Sequence, residues 1–420
     1  MSNILEEISK DLGLKDKEHY VWPRITKEIE DVVVKQLHQG VSIYNRGGIF
    51  QEFEDRFSQY HGRKFALLSN SGTNAIFSML EGIALTKGDE VICPVYTFFA
   101  TISPIVYTGA VPIFCDCDES GNVTLDEIKK KVTPRTKAVI VTHMWGIPCD
   151  MKEIAEFCKS SGIFLLEDCS HAHGASCNGV KVGSFGDASA WSLQGQKIVT
   201  GGEGGIMLTD NEEIYYRATL QGHYNKRCRQ EIPSSHPLHR FALTGFGLKF
   251  RAHPLAIAIA NEQFSHLDDW ILQKQKYADM FLEAFGHYSF LKMPNFKGKQ
   301  PSWYAFVMQF DESCSNGVSL DAFCNALHKI GLHEVDRPNS TCLLNDLPLF
   351  SCLNEAMPRL YEKHELQDQG SFPNADKFYK NAIKLPVWAF EDEATIVDGY
   401  IKGIRQICEL VVNSPDVLNG

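Results

Sequence analysis

The chain has 420 residues with 41 basic and 52 acidic side chains, a net charge of −11, which argues against a nucleic-acid partner but leaves room for local basic pockets that take small anions. A hydrophobic share of 44% and a charged share of 22% suit a globular, enzyme-sized protein with room for two domains. Thirteen cysteines, scattered and without a C-x-x-C pair, predict reduced and mostly buried thiols in a cytoplasmic protein, with zinc or an iron–sulfur cluster the lesser alternative.

Residues 1–24 read as a short helix and a connecting arm, too acidic and polar for a signal peptide. No apolar run approaches the ~18 residues of a membrane span. From Ile25, ITKEIEDVVVKQLHQG has a helical pattern that ends at a glycine. The next helix, IFQEFEDRFSQYHG, carries Phe50, Phe53 and Phe57 on one face, as a core would require. FALLSNSGTNAIFSMLEGIAL then reads as strand, small-residue turn and helix. Its turn, Ser71-Gly72-Thr73, is either a plain helix cap or a phosphate-binding helix start.

GDEVICPVYTFFAT, AVPIFCDCD, KAVIVTHMWG and SGIFLLED supply further apolar strands, separated by helical segments. Such alternation predicts a mostly parallel sheet covered on both faces, with active groups at the carboxyl ends of its strands. Glu167-Asp168 stands at one such end. Asp168 follows a buried run and therefore needs a partner, as a cap, a core hydrogen-bonder or a working carboxylate. His171, three residues on, is a loop histidine or a site residue.

The stretch WSLQGQKIVTGGEGG places Lys197 five residues after Ser192 and just before a glycine-dense turn. A lysine that attacks a carbonyl must be neutral, which desolvation favours, and glycines let a cofactor come close. The alternative is a surface lysine before a glycine hairpin. Beyond GGIMLTDNEEI comes a His- and Arg-rich loop at 222–240, then GFGLKFRAHP and a long helical segment from about 265. A strand in WYAFVMQFD, a helix in SLDAFCNALHKIG, an irregular stretch at 335–375 and a closing helix complete the chain. The expected division is an arm at 1–24, a large α/β domain at 25–264 and a smaller α+β domain at 265–420.

Six segments, LLSNSGTNAI, EVICPVYTFFAT, GAVPIFCDCD, LEDCSHAHGA, GSFGDASAWSLQGQKIVTGGEGG and GFGLKFRAHP, together resemble the DegT/DnrJ/StrS family of pyridoxal-phosphate-dependent sugar aminotransferases. The resemblance implies the fold-type I architecture and pyridoxal 5'-phosphate as cofactor. It implies Lys197 as the lysine that forms a Schiff base with the cofactor and moves the proton. Asp168 is implied as the carboxylate facing the pyridine nitrogen, Phe98 as an aromatic on the ring face and His171 as a residue packed near the ring. Gly72, Thr73 and Ser192 are implied as the phosphate cradle, and no metal ligand is implied. Lys249, in Gly247-Leu248-Lys249-Phe250-Arg251, stands where many relatives place an asparagine that reaches the phosphate in the neighbouring subunit. A lysine replaces that contact as a point charge. The resemblance further implies a homodimer with shared sites, a glutamate or glutamine donor and a keto-sugar acceptor. Gln194 and Gln196 look more like the branch that aminates keto-inositols. Relatives that act as dehydratases have a histidine in place of the Schiff-base lysine, so Lys197 favours amino transfer over dehydration or a non-catalytic role.

Overall fold

The computed structural model describes residues 2–15, 17–362 and 370–418. The apolar runs become β1 (Phe65–Ser69), β2 (Glu90–Pro94), β3 (Val111–Cys115), β4 (Thr136–Thr142) and β5 (Phe164–Asp168), joined by β6 (Ala188–Ser192) and β7 (Gly205–Thr209). They form one sheet in the order β1-β7-β6-β5-β4-β2-β3. From β6 to β3 every neighbour is parallel, and β7 runs antiparallel to both of its neighbours. The strand period of two divides the cores. Leu67 of β1 faces Ala75 and Met79 of the helix Gly72–Gly82, whereas Ala66 and Leu68 face Phe50, Phe53 and Phe57 of the helix Gly48–His61.

A second core gathers Phe281, Phe306, Phe323, Trp388 and Tyr400 around a three-stranded antiparallel sheet of Leu291–Lys292, Phe306–Phe310 and Ala382–Leu385. Leu5 and Leu14 of the N-terminal segment are buried in this core, and His19 Nδ1 lies 2.7 Å from the Tyr400 hydroxyl. The chain therefore returns its beginning to its end. All thirteen cysteines are free, and ten of them are buried. Among the described residues no helix is long and apolar enough to cross a membrane.

Two segments are more ordered than the sequence pattern predicts. The 222–240 loop contains the helix Lys226–Glu231. Arg227 of this helix is buried against Glu54, at 2.9 Å, a partner 173 residues away. A buried charge requires such a partner, and local pattern cannot reveal it. In the irregular stretch at 335–375, Thr341–Leu343 pairs with Tyr96–Phe98, and Phe350, Leu353 and Phe372 are buried in the first core. Residues 363–369 of that stretch lie outside the described residues.

Candidate active site

The carboxyl ends of β1, β2, β4, β5 and β6 open onto a cavity of about 500 Å³. Seven of the eight residues singled out in the sequence, Gly72, Thr73, Phe98, Asp168, His171, Ser192 and Lys197, line it. Lys249 does not: it is exposed on its own chain, outside this lining. Its loop nevertheless runs beside the cavity's helix start, because the Asn70 amide donates to the Phe250 carbonyl at 2.6 Å.

Lys197 follows β6 through a loop tied to itself. The Gln194 amide donates to Ser192 Oγ at 3.2 Å, and the Lys197 amide donates to the Gln194 carbonyl at 2.8 Å. The Trp22 indole N–H donates to the Lys197 carbonyl at 2.8 Å, so the N-terminal segment pins the lysine from outside. Loss of water pushes the Lys197 amine down to about 8, against the opposing pull of Asp168. Its Nζ lies 4.6 Å from the centre of the Tyr304 ring.

Asp168 ends β5 and is 3% exposed. The Thr101 hydroxyl donates to its Oδ2 at 2.6 Å and the Ser170 amide to its Oδ1 at 3.0 Å. Both donors fix the orientation of a carboxylate that lines the cavity. Its neighbour Glu167 is used structurally, accepting the amides of Gly183, Phe185 and Gly186.

At the other end of the cavity, Ser71 caps the helix Gly72–Gly82, accepting the Asn74 amide at 3.1 Å. The Ser-Gly-Thr turn is therefore a helix cap, and it also presents a helix N-terminus to the cavity. A Cβ on Gly72 would lie 2.6 Å from the Ser192 Cβ, so glycine is what lets Ser192 sit against the helix start. In the glycine-dense turn, a Cβ on Gly205 would meet the Ser71 carbonyl oxygen at 2.3 Å, so this glycine serves close backbone packing beside the cavity.

Three aromatic rings build one wall. His171 and Tyr304 stack with centroids 4.0 Å apart and planes 6° from parallel, and Trp145 stacks beyond His171 at 5.6 Å. Trp145 and Trp303 both hold positive φ, 58° and 55°, strain of the kind that clusters at functional sites. Burial first, then the charges of Lys197, His173 and Lys384, holds His171 well below the ordinary histidine pKa, so its ring is neutral. Phe98 is 37% exposed at the cavity edge, where its strand pairs with Thr341.

Sequence reasoning did not find Thr101, Trp145, Tyr304, Asp336, Asn339 or Lys384, all of which line the cavity. Thr101 lay in the quoted TFFAT, four residues after Thr97 on the same small turn. The others come from loops and from the second core, with no local signal.

A sequence model of the DegT/DnrJ/EryC1/StrS aminotransferase family matches residues 23–398. A dTDP-3-amino-3,6-dideoxy-alpha-D-galactopyranose transaminase of Aneurinibacillus thermoaerophilus is 32% identical over 367 residues, 87% of this chain and 91% of that protein. A putative L-glutamine:3-amino-2,3-dideoxy-scyllo-inosose aminotransferase of Micromonospora echinospora is 30% identical over 318 residues, 73% of each chain. Among solved structures, an aminotransferase from Psychrobacter cryohalolentis superposes with a TM-score of 0.82 at 25% identity, covering 94% of this chain and all of that one.

Proposed function

The chain belongs to the DegT/DnrJ/EryC1/StrS aminotransferase family, and from that premise we propose that it uses pyridoxal 5'-phosphate to move an amino group from glutamate or glutamine to a nucleotide-linked keto sugar. The observation that carries this reading is a lysine amine pushed down to about 8 in the same cavity as Asp168 and a helix start. The cavity suits the cofactor. The absence of a Cβ on Gly72 lets the Ser192 hydroxyl sit at the helix start, the helix amides favour a phosphate, and Asp168 supplies a carboxylate for a pyridine nitrogen. When bound, the cofactor supplies a carbonyl to accept nitrogen and a ring to draw off the electron pair of a carbanion.

The remaining work falls to the chain's own groups. Lys197, neutral above about pH 8, would hold the cofactor and is the chain's own base for taking a proton from the donor's α-carbon at its Nζ. Asp168, oriented by hydrogen bonds from Thr101 and Ser170, would face the pyridine nitrogen of the bound cofactor. Phe98 and His171 line the cavity and would flank the bound ring, and neutral His171 adds no competing positive charge. The rings of Trp145 and Tyr304 exclude water from one wall.

The enzyme acts in the cytoplasm as a homodimer, in which Lys249 enters the site of the neighbouring subunit. Exposed apolar side chains at Val34, Leu37, Val41 and Tyr44, and at Leu243 and Leu248 flanking the Lys249 loop, support this assembly. A second acceptor, a keto-inositol, is favoured by Gln194 and Gln196 lining the cavity and by the relative named for a scyllo-inosose.

Incubating the purified holoenzyme with glutamate or glutamine and a panel of keto acceptors, followed by mass spectrometry, tests the assignment. Amination of a nucleotide-linked keto sugar is expected. Amination of keto-inositols alone would select the second reading, and no transfer from either donor to any acceptor would overturn both.

A further inference from the structure

The cavity holds a second cation that the chemistry given to Lys197 leaves unused. Among the described residues lining it, the lysines are Lys197 and Lys384, and there is no arginine. Lys384 lies on the strand Ala382–Leu385 of the second core. Its Nζ donates to Asp336 Oδ2 at 3.2 Å. The two backbones are clamped together independently of their side chains: the Asp336 amide donates to the Lys384 carbonyl at 2.9 Å, and the Lys384 amide to the Asp336 carbonyl at 2.7 Å. Lys384 is therefore fixed at its base, while its ammonium is free to choose a partner.

An amino-acid donor brings a carboxylate that must be held while its nitrogen reaches the cofactor. Lys197 cannot hold it, because that amine has to be neutral and to carry the proton. Asp168 and Glu203, which also line the cavity, repel a carboxylate. Lys384 remains. Its present partner is a carboxylate 51% exposed, against 31% for the lysine, and an ion pair so open to water is a weak one. An incoming carboxylate can therefore take the place of Asp336 without leaving a buried charge unpaired.

We propose that Lys384 binds the donor's carboxylate and that Asp336 occupies Lys384 between turnovers. This inference rests on the amino-acid-donor reading above. It makes Lys384 a specificity-determining residue for the first half of the reaction, one that selects α-amino acids over simple amines. It also gives Asp336 a defined effect: as a competitor within the molecule, it weakens donor binding.

Glutarate, a dicarboxylate without an amino group, isolates the binding step. Calorimetric titration of the holoenzyme with glutarate should show binding to the wild type that weakens about tenfold or more in Lys384→Ala, the scale of one lost charge-assisted contact. Lys384→Arg should keep it within about threefold, and Asp336→Asn should tighten it. A gain of affinity in Asp336→Asn cannot come from a damaged fold. Equal glutarate binding in wild type and Lys384→Ala, or none in the wild type, overturns the proposal. Weakened binding of a nucleotide-linked acceptor in Lys384→Ala with glutarate binding intact also overturns it, making Lys384 an acceptor residue. The donor reading is tested separately by the absorbance change that glutamate or glutamine produces in wild-type holoenzyme. If neither reacts, that reading fails while the glutarate result for Lys384 stands.

Discussion

A lysine amine near 8 in the folded chain, against an ordinary value of 10.5, ties stability to pH with a definite sign. Below about pH 8 both states carry the proton. Between 8 and 10.5 the unfolded chain holds a proton that the folded chain lacks, so the fold gains stability as pH rises, fully so above 10.5. In the cofactor-free protein, the melting temperature of wild type relative to Lys197→Met should therefore rise from pH 8 to pH 10.5. A difference that stays flat across this window would contradict the burial argument. Asp168 gives a second prediction at this scale. Asp168→Asn keeps size and still accepts from Thr101, but removes the carboxylate proposed to face the pyridine nitrogen. Turnover should fall by on the order of a hundredfold or more, the scale of a lost preorganised interaction, with the melting temperature nearly kept. Near wild-type turnover, or simple unfolding, would assign Asp168 a structural role.

The elements carry the candidate site because β1, β2, β4, β5 and β6 all end at the cavity. The helix start is the most exacting of these ends. Gly72→Ala would force a Cβ to within 2.6 Å of the Ser192 Cβ, an overpacking that costs about 1–3 kcal/mol and displaces Ser192 from the helix amides. Cofactor retention through dialysis should drop in this variant, whereas Gly88→Ala, with open space around it, should retain the cofactor despite its positive φ. The strands with long apolar runs, β1, β2, β4 and β5, were legible in the sequence because their period and length leave little choice. β6, ASAWS, was not, since small residues carry no hydrophobic signal, yet it is the strand that delivers Ser192 and Lys197. Seven residues that line the cavity were legible through motifs in the first two hundred residues. The opposite wall was not, because Tyr304, Asp336 and Lys384 reach the cavity by tertiary packing. The pairing of Thr341–Leu343 with Tyr96–Phe98 is one such contact, and it spans more of the chain than any local pattern can report.

At the scale of the whole molecule, the chain's beginning, middle and end meet around one lysine. The N-terminal segment donates from Trp22 to the Lys197 carbonyl, while Leu5 and Leu14 anchor that segment in the C-terminal core. The second copy proposed for the dimer completes the site with Lys249. Lys249→Ala and Lys197→Ala are each expected to be inactive or weak, but mixed dimers of the two contain one site with both lysines intact. Activity should recover toward half of wild type per mixed dimer. No recovery, in mixed dimers verified by native mass spectrometry, would take Lys249 out of the neighbouring site. The most direct measurement concerns Lys197 itself. Purified holoenzyme is treated with borohydride, digested and mapped by mass spectrometry. The account predicts a pyridoxyl label on the peptide containing Lys197, and its loss in Lys197→Ala even where cofactor remains bound. A label on another lysine, or no reducible attachment in an active holoenzyme, would contradict it.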